Sequence, residues 1–473
     1  MKSSLKNILS ILIVVCLFIG LVPVALAAGE YDGKTVVLYT GNLRGDVDQL
    51  PKIAAAKTTY ETAGADVILV DAGNFLQGTQ YSANGGGRAI IDLMSKTGYD
   101  VLSLGRYDFA FGTGTLGTSY HGDASELGSL GNYFDSTHAK FVASNTMKLV
   151  SANISGENNN FYGFAASETV DTGPVTIGLF GLTDPDTVNN TPESNLSGMS
   201  FDAAASAASA QAAVLSSCDV VIGLSNAGVA SIAGATMVDI PASAGFTVGA
   251  LVIDNTEKTV TTETVTLGAD DATVASAVSA LKALVNTAYG SSVATSTVTL
   301  NGSSVATKSG ETNLGDLWTD ALRWYATSGN ITSNFSGDYR YDSIQVDNDH
   351  VVAIWNAGNL RDYINTGAVT ITDVYRALPY PNSVALIYVT GAELLEQLEA
   401  CSQGLPYSAA TNDHCNSVMQ VSGIVYNVDI SKDYDAGDQY GTSRWYKAAD
   451  GNANGRVTIT SINGKPFRAT DTY

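Results

Sequence analysis

Short apolar runs paired with helical stretches, recurring along the chain, constrain this sequence more than any other feature. Thr35-Val36-Val37-Leu38-Tyr39 lies between Gly33 and Gly41, and a continuous apolar run of that length fits a strand buried on both faces. A helical pattern follows it, and similar units recur. Asp66-Val67-Ile68-Leu69-Val70 reads as strand, Ala89-Ile90-Ile91-Asp92-Leu93-Met94 as helix, and Val101-Leu102-Ser103-Leu104 and Val175-Thr176-Ile177-Gly178-Leu179-Phe180 as strands. The Ala-rich residues 201–215 read as a helix leading into a strand at Val220. Strands alternating with helices predict an α/β domain, whose ligands gather at loops beyond the carboxyl ends of the strands. No tandem repeat with a period of about 20 to 50 residues is present, which disfavours a solenoid or propeller.

The chain has 473 residues, which at about 150 residues per domain predicts two or three domains. Composition shifts to Thr, Val and Glu over residues 255–271, and residues 272–288 then carry apolar side chains at helical spacing. The expected organisation is a signal peptide over residues 1–27, a first domain over 28–256, a linker with a connecting helix over 257–290, and a second domain over 291–473. In the second domain, helices are expected at residues 314–325, 372–377 and 392–400, and strands near Val351, Ala385 and Ile424.

Hydrophobic residues make up 45% of the chain and charged ones 15%, too little charge for a disordered acidic tail or a coiled coil. The 46 acidic against 24 basic side chains, a net charge of −22, argue against a nucleic-acid binder. Lys2 and Lys6 precede the apolar residues 8–21, and Ala25-Leu26-Ala27 follows as a small-x-small cleavage signal. This is the pattern of a secretory peptide, and it places the protein outside the cell or at its surface with no retained membrane span. Beyond the signal lie three cysteines. Cys401 and Cys415 are close enough in sequence to pair across a loop, whereas Cys218 reads as a buried thiol.

The turns then fall into a known order. Tyr39-Thr40-Gly41-Asn42-Leu43-Arg44-Gly45, Asp71-Ala72-Gly73-Asn74-Phe75-Leu76-Gln77-Gly78-Thr79 and Gly105-Arg106-Tyr107-Asp108-Phe109-Ala110-Phe111-Gly112 resemble loops of the secreted 5′-nucleotidases, which belong to the calcineurin-like metallophosphatases. Gly178-Leu179-Phe180-Gly181-Leu182-Thr183 and the run from Asp219 to Gly228 follow in the same order. In the second domain Asn313-Leu314-Gly315-Asp316-Leu317, Asn356-Ala357-Gly358-Asn359-Leu360-Arg361, Leu378-Pro379-Tyr380, Thr390-Gly391, Leu398-Glu399 and Gln420-Val421-Ser422-Gly423 continue the resemblance. It implies an α/β fold in two parts: an N-terminal metallophosphatase sandwich layered α/β/β/α and a smaller α/β C-terminal nucleotidase domain.

The family's reaction uses two divalent metal ions that clamp a phosphate and activate water, held by carboxylates and imidazoles. At the positions matching those ligands this sequence has Asn42, Arg44, Asn74, Arg106 and Asn226, and at the acid-base dyad Tyr107 and Ala110. The segment expected to read Gly-His-x-His is instead Ile240-Pro241-Ala242-Ser243-Ala244-Gly245-Phe246, and none of the four histidines, His121, His138, His350 and His414, lies in these loops. Neutral amides and two guanidiniums would repel a metal pair. These loops are therefore read either as a relic set with no ligand or as a cationic seat for an anion built from Arg44 and Arg106.

The resemblance also implies that Asn356, Arg361 and Tyr380 stand where the family contacts its substrate, with Tyr380 in the place of a base-stacking aromatic; the alternative is that they only maintain a turn and an apolar wall. The stretch Ile462-Asn463-Gly464-Lys465-Pro466-Phe467 followed by Tyr473 resembles the part just before the family's last pocket loop, so that the second domain reads as truncated at its end: either one side of the base clamp is lost or the sequence is a fragment of a longer product. Asp450-Gly451-Asn452-Ala453-Asn454-Gly455 resembles the start of a calcium loop, but Ser461 replaces the twelfth-position Glu, so a turn before a strand is expected. Sequons begin at Asn153, Asn189, Asn195, Asn301, Asn330 and Asn334. The sequence thus reads as a secreted 5′-nucleotidase-family protein, a pseudoenzyme without a cofactor, whose partner is a nucleotide, nucleoside or phosphate. The alternatives are residual phosphoesterase activity with a divalent metal pair and a purely structural role at the cell surface.

Overall fold

The computed structural model describes residues 26–27, 29–83, 87–110, 147–155, 164–191, 195–196, 198–328, 346–380, 382, 384–408, 415–434, 436–439, 446–448 and 455–473. The signal peptide up to residue 25, the calcium-like turn before Gly455, the sequons at Asn330 and Asn334, and three of the four histidines lie outside them. The chain forms two compact units, Met1–Tyr289 and Gly290–Tyr473.

In the first unit the strands are β1 (Lys34–Gly41), β2 (Asp66–Asp71), β3 (Val101–Ser103), β4 (Lys148–Val150), β5 (Ile154–Ser155), β6 (Phe164–Ala165), β7 (Ser167–Asp171), β8 (Thr176–Leu182), β9 (Ser200–Phe201), β10 (Val220–Ser225), β11 (Thr236–Asp239), β12 (Thr247–Asp254) and β13 (Val260–Thr264). The main helices are α1 (Leu50–Thr62), α2 (Arg88–Thr97), α3 (Ala204–Val214) and α4 (Ala272–Tyr289). One sheet runs β13-β12-β1-β2-β3-β4-β6 and a second β11-β10-β8-β7. β1, β2 and β3 are mutually parallel, as are β8, β10 and β11.

Strand periodicity explains the layering. Val36 and Leu38 of β1 point to one face, into a core shared with Leu50, Ile53 and Leu93 of the helices. Val37 points to the other, where Ile68 and Val70 meet Ile177, Leu179, Ile222 and Leu224 of the second sheet. That sheet's outer face is covered by Ala204, Ala208 and Leu215. The result is helix, sheet, sheet, helix, and it accounts for why β1 is apolar on both faces. Helix α4, which the sequence places in a linker, buries Val274, Val278, Leu281 and Val285 in the first unit's core.

The second unit contains α5 (Asn313–Thr327), α6 (Ile371–Ala377), α7 (Gly391–Cys401) and short sheets pairing β14 (Ser292–Ser296) with β16 (Gly367–Thr370) and β15 (Ala353–Asn356) with β17 (Met419–Ser422). β18 (Ile424–Val428), β21 (Val457–Ile462) and β22 (Lys465–Pro466) form a third sheet, and β19 (Ala436–Gln439) pairs with β20 (Tyr446–Ala448). Thr370 and Thr390 cap α6 and α7, each in a reciprocal box with the acid three residues on, Asp373 or Glu393. Gln420 is buried; its amide donates to the carbonyls of Thr307 and Gly310 and accepts from Thr312 at the start of α5.

Three expectations need correction. Residues 384–388, where a strand was expected near Ala385, join no sheet among the described residues. Cys401 is a free thiol, pushed up to about 12 by burial. Cys218 is only half-buried.

Leu281→Ala should lower stability by about 2–5 kcal/mol, the range for a buried leucine cut back to alanine. Urea unfolding of the full chain checks this; a loss under about 1 kcal/mol would separate α4 from the first unit's core.

Candidate functional site

The parallel strands of the first unit end together, and their following loops hold every position that the resemblance assigned to metals. Asn42 and Arg44 follow β1, Asn74 follows β2, Arg106 and Tyr107 follow β3, and Asn226 follows β10. Asn42, Arg44 and Asn74 adopt left-handed backbone angles, with φ of 57°, 50° and 64°. Asn tolerates that region, whereas for Arg it carries strain. The loop is held there by backbone bonds from Asn42 N to Gly73 O at 2.9 Å and from Arg44 N to Asn74 O at 2.9 Å.

The amides form a closed network. Asn74 Nδ2 donates to Asn42 Oδ1 at 2.9 Å, and Asn74 Oδ1 accepts from Tyr107 N at 3.0 Å. Asn42 Nδ2 turns away to the carbonyls of Pro241 and Ala244, at 3.0 and 3.1 Å. Those carbonyls lie in the segment where metal-binding histidines were sought. Asn226 Nδ2 reaches Ala72 O and Leu104 O on the first sheet's loops and Leu182 O at the end of β8, at 3.2, 3.1 and 3.3 Å. Gly105 permits this packing, since a Cβ there would overlap the backbone and side chain of Asn74. Each amide therefore has donor and acceptor occupied, which fixes its orientation.

The two arginines differ. Arg106 is clamped by Asp184, through Nε at 3.1 Å and through Nη2, with Asp186 at 3.5 Å. Burial works against its charge, but the Asp184 carboxylate more than offsets this and raises its pKa. This corrects the paired cationic seat: Arg106 is already neutralised by a carboxylate on the loop after β8, a partner sequence reasoning missed although Thr183-Asp184-Pro185-Asp186 follows a strand. Arg44 donates from Nη2 to Ala242 O and lies 5.0 Å over the Tyr107 ring. Ala110 has no side-chain chemistry; its carbonyl accepts from Asn195 Nδ2 at 3.0 Å.

Two buried carboxylates brace the network. Asp108 accepts from the amides of Gly105, Asn74 and Leu76 at 2.7, 2.9 and 2.9 Å, tying the loops after β2 and β3 together. Asp71 accepts from Thr40 Oγ1 at 2.6 Å and Gly73 N at 2.7 Å, and Tyr99 OH lies 2.8 Å from the same hydroxyl. Burial pushes Asp71 well above the usual carboxylate range despite these donors. Burial likewise raises Asp108 to about 6, against the pull of its amide donors.

These residues do not fit a metal pair. The positions supply amide and guanidinium groups, the amide oxygens are engaged, and no cluster of three or more His, Cys, Asp or Glu occurs among the described residues. In the second unit, Arg361 lies 5.0 Å over the Tyr380 ring, and Asn356 accepts from Asn359 Nδ2 at 2.7 Å while donating to Asn416 O at 3.1 Å. The structure thus pairs Arg361 with Tyr380 and ties Asn356 into its own turn. Asn153 is buried, with its amide donating to Thr183 O and Asp202 O, so that sequon is closed in the folded protein.

Asp108 makes a pH-dependent contribution whose sign follows from its raised pKa. The protonated form is favoured by folding, so its stabilisation is complete below about 3.9 and lost as pH rises through about 6. The stability difference between wild type and Asp108→Asn should therefore fall by roughly 3 kcal/mol from pH 3.5 to 7. Urea titrations at each pH check this; a flat difference would contradict it.

Comparisons with known proteins agree with this architecture. Residues 292–473 match the family model for the 5′-nucleotidase C-terminal domain. No curated protein matches the chain by sequence. Among solved structures the chain is similar to a 5′-nucleotidase precursor from Thermus thermophilus, at 20% identity over 93% of this chain and 88% of that one, with a TM-score of 0.61. It is also similar to a Staphylococcus aureus protein described as a 5′-nucleotidase in complex with alpha-ketoglutarate, at 14% identity over 93% and 89%, TM-score 0.61. A third is the sulfate thiohydrolase SoxB of Thermus thermophilus, at 14% identity over 94% and 88%, TM-score 0.55. Residues 292–473 thus match the 5′-nucleotidase C-terminal domain, and the chain as a whole, with its helix-sheet-sheet-helix first unit, shares the fold of these solved structures.

Proposed function

We propose that this chain is a 5′-nucleotidase-family protein that no longer hydrolyses phosphomonoesters and acts by binding a nucleotide or a related anion. The loss of hydrolysis rests on one observation: Asn74, at the position that would bridge two metals, has its amide nitrogen on Asn42 and its amide oxygen on Tyr107 N. Carboxylates there would repel one another without cations and offset them when present. Amides hold the same turn without any ion, and recruiting a metal would break bonds worth about 1–3 kcal/mol for each group left unpaired.

After incubation with Mn²⁺ and Zn²⁺ followed by dialysis, elemental analysis should find well under one ion per chain, and AMP should not be hydrolysed. Two retained ions together with AMP turnover would overturn the proposal.

Binding is supported in the second unit. Arg361 is exposed, has no carboxylate partner among the described residues and stacks on Tyr380. A guanidinium on an aromatic ring offers a flat cationic surface suited to a base with an attached phosphate. Calorimetry with AMP should show heat at millimolar concentrations, and Arg361→Ala should weaken binding roughly ten-fold, consistent with the ~1–3 kcal/mol of a stacked base. Silent titrations with AMP, adenosine and phosphate would leave the structural role instead.

A further inference from the structure

Arg44 combines a backbone angle that costs stability with a charge that no carboxylate meets. Its φ of 50° lies in the left-handed region, where a long side chain is strained and glycine is not. The loop after β2 is fitted around that conformation: a Cβ on Gly78 would come within 2.4 Å of Arg44 O and 2.7 Å of Arg44 Cβ. Asn42 and Asn74 share the region, but asparagine tolerates it and their amides are used in the network that closes the loops. Strain at an arginine persists where a function requires that residue.

The contacts of the guanidinium do not supply the reason. Nη2 donates to Ala242 O, and Cζ lies 5.0 Å over the Tyr107 ring. A carbonyl and an aromatic face attract a cation without bringing any net charge. Nε is buried with no partner, Nη1 makes no hydrogen bond, and no carboxylate pairs with Arg44 among the described residues. Arg106, on the neighbouring loop, shows the contrast, because Asp184 and Asp186 neutralise it. Arg44 and Tyr107 are both partly open to solvent. They follow β1 and β3, beyond the carboxyl ends of parallel strands, where ligands of such sheets gather.

We propose that Arg44, held flat by Tyr107, is the seat for one oxyanion of the phosphate class at the head of the first unit. The misfit between these loops and a metal pair has this as its outcome: a fixed cation from the chain itself receives the anion. The ligand would accept from Nη1 and supply the negative charge that the arginine lacks. This seat lies in a different unit from Arg361 and Tyr380, and the inference does not rest on them.

Calorimetry with inorganic phosphate on the full chain, against chloride at matched ionic strength, tests it. Wild type should give heat at millimolar phosphate. Arg44→Gln should weaken binding by about ten-fold or more, and Arg44→Lys should keep part of it, although both leave a long side chain on the same strained backbone. Arg361→Ala should leave phosphate binding in place. Arg44→Gly relieves the strain, so without phosphate its urea midpoint should match or exceed that of wild type, and phosphate should raise the wild-type midpoint alone. No heat in wild type, equal binding by wild type and Arg44→Gln, binding lost only in Arg361→Ala, or a lowered midpoint in Arg44→Gly would each overturn the proposal, the last because Arg44 would then be a brace. Titrating AMP into Arg361→Ala separates the sources of the anion: binding that Arg44→Gln abolishes assigns the seat to the phosphate group of a nucleotide, and silence beside phosphate heat assigns it to the free ion. Nucleotide binding through Arg361 would survive the failure of this seat, and the seat would survive a silent AMP titration.

Discussion

Parallel strands that end together leave backbone groups and turning loops that must find partners, and everything at the head of the first unit answers that demand. A single amide, Asn226, gathers carbonyls from both sheets. A single carboxylate, Asp108, gathers amides from the loops after β2 and β3. Between them the Asn42–Asn74 bond ties the loop after β1 to the loop after β2. The left-handed turns at Asn42, Arg44 and Asn74 persist because these contacts over-determine them.

The electrostatics follow from the same arrangement. The charges at the head of the first unit balance locally. Arg106 is balanced by Asp184 and Asp186, and Arg44 by a carbonyl and an aromatic face. Asp71 and Asp108 have donors but no cation beside them among the described residues, and burial favours their neutral forms.

Much of this was legible in the sequence because periodicity reports burial directly: β1, β2, β8 and β10 are apolar on both faces, and the threonine-acid spacing before α6 and α7 announces their caps. What escaped was pairing. Nothing in the sequence links Arg106 to Asp184, 78 residues away, or shows that Asn42 would face the carbonyls of residues 241 and 244. Helix α4 looked like a linker because its apolar stripe does not say which unit it covers. Residues 384–388 looked like a strand because β-propensity describes a side-chain surface, whereas a strand also needs a neighbour.

The Asn226 junction has a consequence for how the two sheets of the first unit can move. One side chain holds carbonyls from the loops after β2 and β3 and from the end of β8. Sliding one sheet along the other at this end would break those bonds together, so the layers are locked in register where the loops meet.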